Sequence, residues 1–241
     1  MALVQVKFTE ITAASASIDL TLDTPPTPGN TLIAFFGCDT AVTASSIGTA
    51  EDSLAVCDDG VTTAYLWDSG NSTAEQVWSK SNITGGGSGK VVATIGTSVG
   101  YRSFGVFEIS GDGGMVLAEI AKALTAPPGP ADPGTLTPTK DNSFIACAVL
   151  CDQNPTTGSA FNQAWNWSTT AYNEGEYQQQ TTATQVDTFW GGTISATATS
   201  IAVLFEPVGS VSSPSGTNVS LGQGNVSVLI RNDGNTPFII A

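Results

Sequence analysis

Hydrophobic and polar residues alternate in short runs along most of this chain, and the period is two rather than 3.6. Val4 to Phe8 and Ala16 to Leu22 read as strands, the second setting Ile18, Leu20 and Leu22 against Asp19 and Thr21. Pro25-Pro26-Thr27-Pro28-Gly29-Asn30 interrupts the pattern, because proline lacks the amide a ladder needs. Leu32 to Phe36 follows as a near-continuous apolar run, the mark of a strand covered on both faces. Ala64 to Trp67 and Glu75 to Trp78 flank an Asp68-Ser69-Gly70-Asn71 turn. Beyond the glycine-rich Thr84 to Gly89, Lys90 to Thr97 and Arg102 to Ile109 read as core strands. Ser45 to Val61 gives no clear period.

The pattern then echoes itself. Gly29-Asn30-Thr31-Leu32-Ile33-Ala34-Phe35-Phe36-Gly37-Cys38-Asp39 reappears, one residue longer, as Asp141-Asn142-Ser143-Phe144-Ile145-Ala146-Cys147-Ala148-Val149-Leu150-Cys151-Asp152. A second echo joins Tyr101 to Gly111 with Ala198 to Gly209. Two pseudo-repeated halves, each opened and closed by a buried strand, predict an all-β sandwich. The second half continues with strands at Ser143 to Cys151, Ala164 to Trp167, Tyr177 to Thr182, Val186 to Trp190 and Ile201 to Phe205. Gly111 to Ala123 is the one segment expected to be helical or irregular, and Pro127 to Pro133 is expected to connect the halves.

From Gly209 the character changes. The body is expected over 1–208 and a Ser/Pro/Gly linker over 209–217. A C-terminal β arm over 218–241 has Asp233-Gly234 chemistry suited to a hairpin. So short an extension cannot bury its own core, so it must dock. Strand addition to a neighbouring subunit or the capsid is the expected mode, with Val226, Val228, Ile230, Phe238, Ile239 and Ile240 as the candidate interface, and a hairpin packed on its own sandwich is the alternative.

Composition narrows the function. Seven Lys and Arg against 21 Asp and Glu give a net charge of −14, so nucleic acid and anionic membrane are not expected partners. Histidine is absent, which removes the commonest general base and a common metal ligand; no enzyme activity and no cofactor are expected. The start, Met1 to Phe8, lacks the features of a secretion signal, and no apolar run approaches membrane-span length, so synthesis in a cytoplasm is expected. The Asn-x-Ser/Thr sequons then read as products of composition. Cys38, Cys57, Cys147 and Cys151 are expected as buried thiols, with a Cys38–Cys151 bridge as the alternative.

Pro28 to Phe35, Val106 to Gly111 and Gly134 to Ala146 together resemble a β-sandwich module of tailed-bacteriophage virion proteins, over roughly residues 1 to 208. Ser45-Ser46-Ile47-Gly48 stands where that module carries a Gly-Trp dipeptide. The resemblance implies a jelly-roll body and a non-enzymatic virion role. A capsid decoration or cement protein bound to the major capsid protein is expected, as a homotrimer on the capsid surface. The alternative is a tail or fibre module binding host-surface glycan through Trp165, Trp167 and Tyr172.

Other candidates have plainer readings beside them. Glu108 and Glu206 could pair as glycosidase carboxylates, but a duplicated strand end also duplicates its polar terminus. Asp39, Glu51, Asp52, Asp58 and Asp59 offer oxygens for calcium, or form a solvated acidic rim.

Overall fold

A computed structural model describes residues 1–111, 114–151, 155–167 and 172–208, with Trp167 and Tyr172 described by their backbone only. Met1–Val208 forms one unit. The first half contains β1 (Ala2–Ile11), β2 (Ser15–Thr21), β3 (Thr31–Cys38), β4 (Ala44–Gly48), β5 (Ala55–Val56), β6 (Tyr65–Asp68), β7 (Thr73–Lys80), β8 (Lys90–Val99) and β9 (Arg102–Ser110). The second contains β10 (Met115–Thr125), β11 (Thr135–Leu136), β12 (Ser143–Cys151), β13 (Asn162–Trp167), β14 (Tyr172–Gln180), β15 (Val186–Asp187) and β16 (Ala198–Pro207).

These strands build an all-β sandwich. One large sheet runs β1-β9-β3-β7-β5, with β6 also on β7; the other runs β10-β16-β12-β14-β13. Smaller sheets β2-β8-β4 and β11-β15 complete the set. The halves repeat one plan: β1-β9-β3-β7 corresponds to β10-β16-β12-β14, and β2-β8 to β11-β15. Even the irregularities match, since β1 shifts register between Leu3 and Gln5 and β10 between Leu117 and Glu119.

Three apolar layers hold the stack together. Ile33, Phe35, Phe107, Phe144, Val203 and Phe205 fill the space between the two large sheets. Ile18, Leu20, Val91 and Ile95 of the small first-half sheet cover Leu32, Ala34 and Phe36 on the far face of the first large sheet. On the far face of the second, Ile145, Cys147 and Leu204 are covered by Ala131, Leu136, Val186, Trp190 and Ile194. β3 and β12 are thus buried on both faces, which is why their sequences show no alternation.

The described residues of the 111–123 segment, expected to be helical or irregular, form no helix. Its Met, Leu, Ala, Glu and Lys residues are good helix formers, but tertiary context overrides propensity, and β10 pairs antiparallel with β16 from Met115 to Thr125. The halves consequently meet between Ser110 and Met115, and the segment around Pro127 to Pro133 leads from β10 towards the outer layer. Ser45 to Val61, which lacked a period, contains the short strands β4 and β5. All four cysteines are buried thiols. Cys38 and Cys151 lie in different apolar layers, on opposite outer faces of the two large sheets, which excludes the bridge between them. Burial pushes the Cys57 thiol up to about 12 and raises that of Cys147 well above its ordinary value.

Candidate functional site

The strongest concentration of unusual chemistry among the described residues lies along β14. Alternation sends Asn173, Gly175 and Tyr177 to the layer between the large sheets, leaving Glu174, Glu176, Gln178 and Gln180 in a polar row on the other face. The first two are carboxylates buried completely beneath the segment Thr156 to Phe161. Thr157 Oγ1 donates to Glu174 Oε1 at 2.7 Å and Gln163 Nε2 to the same oxygen at 2.9 Å. Gly158 N donates to Glu176 Oε2 at 2.8 Å. The remaining oxygens, Glu174 Oε2 and Glu176 Oε1, are buried with no hydrogen-bond partner.

Burial raises the Glu174 carboxyl above its ordinary value. It takes Glu176 up to about 8, against the lowering effect of the Gly158 amide and with a further push from the Glu174 charge. Cys147 is opposite Glu176 on β12, and the carboxylates of Glu176 and Glu75 add to the rise in its thiol. The pair is closed off from solvent and ties a loop down.

Past the buried pair the row opens. A cleft of about 370 Å³ is lined by Gly158 to Phe161, by Gln178 and Gln180, and by Thr184 to Asp187 with Phe189. Along Gln185 to Trp190 the side chains alternate strictly: Val186, Thr188 and Trp190 are buried, while Gln185, Asp187 and Phe189 are exposed.

A second buried carboxyl lies between the large sheets. Glu75 faces a small closed space shared with Ser103, Asn173 and Trp165, neither of its oxygens has a partner, and burial raises its carboxyl well above the ordinary value.

The residues singled out in the sequence fall elsewhere. Glu108 accepts from Thr27 N at 2.7 Å, Asn30 Nδ2 at 2.6 Å and Gln5 Nε2 at 2.5 Å. Glu206 accepts from Thr139 N at 2.5 Å, from Thr139 Oγ1, and from Lys140 N at 3.2 Å. Each carboxylate secures the turn entering the central strand of its own half, β3 or β12, so the echo duplicates a structural staple and assembles no glycosidase pair. Glu108→Ala would strand two buried donors, on Gln5 and Asn30, together with the part-buried Thr27 amide, and is expected to cost about 1–3 kcal/mol. Unfolding of the variant in urea tests this, with an unchanged midpoint as the contrary result.

The acidic group after the first buried strand is spread over separate contacts and is not wholly a solvated rim. No three His, Cys, Asp or Glu side chains among the described residues converge as metal ligands. Asp52 is buried, ion-paired with Lys80 at 2.8 Å and bonded to the amides of Thr84 and Gly85. Asp58 and Asp59 cap the 58–63 turn, and Asp59 also accepts from Ile120 N.

Trp165, the leading glycan candidate, is 7% exposed and belongs to the layer between the large sheets. It stacks on Phe8 with ring centroids 5.2 Å apart, and its Nε1 donates to Asn173 Oδ1 at 2.6 Å. A Cβ on Gly105 or Gly175 would come within 2.5 or 2.3 Å of the indole, so a glycine in each sheet makes the slot it fills. It is a core residue because both sheets close over it. The side chains of Trp167 and Tyr172 lie outside the described residues, as do Val226, Val228, Ile230, Phe238, Ile239, Ile240 and the whole 209–241 arm. The chain matches no protein-family model, no curated protein and no solved structure.

Proposed function

We propose that this chain is a structural virion protein of a tailed bacteriophage: a capsid decoration or cement protein bound to the major capsid protein as a homotrimer. The observation that carries the reading is the duplicated strand order. In a jelly roll the first strand pairs with the last, and the second with the next to last on the facing sheet. β1-β9 with β2-β8, and β10-β16 with β11-β15, follow that rule in both halves. The use of Glu108 and Glu206 as turn staples favours a scaffold over a catalyst.

Binding only the assembled shell would stabilise it by mass action, and the net charge of −14 suits a basic docking surface. The residues after Val208 supply the arm in this reading. Truncation after residue 209 is expected to leave a body that melts as the full chain does but no longer sediments with particles. Retention of normal coating by the truncated body would count against the arm. Imaging particles with and without the protein tests the role itself: density on the capsid faces is expected, and density confined to the tail tip would replace this reading with the tail or fibre module.

A further inference from the structure

We propose that the cleft between β14 and the Gln185 to Phe189 segment is a binding site for a neutral saccharide, a site distinct from the tryptophan cluster and independent of the capsid assignment. Its shape and lining carry the inference together. The volume, about 370 Å³, lies at the small end of the range for small-molecule sites. One wall offers the side-chain amides of Gln178 and Gln180, with Gln180 Nε2 donating to Gln178 Oε1 at 3.0 Å. The opposite wall is the exposed side of an alternating segment, which brings the Gln185 amide, the Asp187 carboxylate and the Phe189 ring to the cleft.

That mixture suits a polyhydroxylated ring. Amides donate and accept at once, a carboxylate accepts from paired hydroxyls, and an aromatic face covers the apolar C–H side of a sugar. Phe189 is 39% exposed, which leaves its ring open to the cleft beside the polar row. The third wall, Gly158 to Phe161, is fixed from below by Gly158 N bonding to Glu176 and from the side by the Thr156–Gly191 bridge, so the cleft is preformed. Its lining includes one carboxylate and no Lys or Arg, which disfavours sialic and uronic acids.

The test is saturation-transfer NMR on the full chain with the methyl glycosides of glucose, galactose and N-acetylglucosamine and their disaccharides, with trialanine as a peptide control. Transfer to at least one sugar is expected. Phe189→Ala and Asp187→Asn should each weaken its affinity at least ~tenfold, equivalent to about 1.4 kcal/mol. Trp167→Ala should leave it unchanged. Gln185→Ala, at an exposed position, gives a second lesion should Phe189→Ala fail to fold. The proposal is overturned by transfer to no sugar in the panel, by transfer to trialanine alone, or by sugar binding that survives Phe189→Ala or Gln185→Ala but is lost in Trp167→Ala.

Discussion

Replacing Trp165 with alanine is expected to destabilise the body by about 3–5 kcal/mol, the usual cost of emptying a large aromatic from a closed core. The indole is enclosed between the two sheets: it stacks on Phe8, tilts against Phe107 with centroids 5.2 Å apart, and meets Phe35 edge-on. Its removal also strips the partner from Asn173 Oδ1, whose Nδ2 reaches across to Ser103 Oγ at 2.9 Å, so a polar link between the sheets loses its anchor. The glycines at 105 and 175 cannot refill the space, because they carry no side chain to move into it. Urea unfolding of Trp165→Ala measures the effect. A midpoint equal to that of the parent would mean the indole is dispensable to the core, as a surface sugar platform would be.

The second large effect is a stability maximum in mildly acidic solution. Glu176 titrates at about 8 in the folded protein against an ordinary 4.5, and Glu174 and Glu75 are also raised. A carboxyl with a raised folded value binds its proton more tightly when folded, so its favourable contribution is complete below about pH 4.5 and declines as pH climbs towards 8. Asp52 works in the opposite sense. Desolvation is outweighed by the Lys80 ion pair and the Thr84 and Gly85 amides, which hold it at about 2 against an ordinary 3.8, so its contribution fades as pH falls through that interval. Thermal melts from pH 3 to 9 are expected to peak at about pH 4–5 and to fall by several degrees towards pH 8. Glu176→Gln, neutral throughout, should flatten the alkaline limb. A melting temperature that instead rises steadily from pH 5 to 8 would show that these carboxyls are ionised within the fold.

The sandwich was legible because its central strands are unusually apolar. Leu32 to Phe36 and Phe144 to Leu150 read as strands buried on both faces, and their echo pointed to a shared plan. β10 was not legible, since its Ala, Glu, Leu and Lys content carries a helical preference that pairing with β16 overrides. The beginning of β14 was missed for a related reason: Asn173, Glu174, Gly175 and Glu176 are poor strand formers held extended by β12 and β13 on either side. Their alternation of acids with small or aromatic residues was the available signal. Whether an aromatic faces a core or solvent is decided by what crosses it, and nothing local to Trp165 announces two sheets closing over it. Gln185 to Trp190 alternates legibly only through Asp187, since Thr188 is buried and Phe189 exposed against their types.

The repeated strand plan also changes what kind of contact the central layer is. β1 lies against β13, and β10, the counterpart of β1, lies against β6, beyond the counterpart of β14. Such reciprocity is the geometry of an isologous dimer, with the two partners joined here in one polypeptide through the segment between Ser110 and Met115. Joining them makes their association unimolecular, so dilution cannot separate the halves. It also releases them from identity: one half keeps a three-stranded cover over its outer face, while the other has reduced the same cover to the two-residue strands β11 and β15 and uses the adjoining chain to shape a cleft.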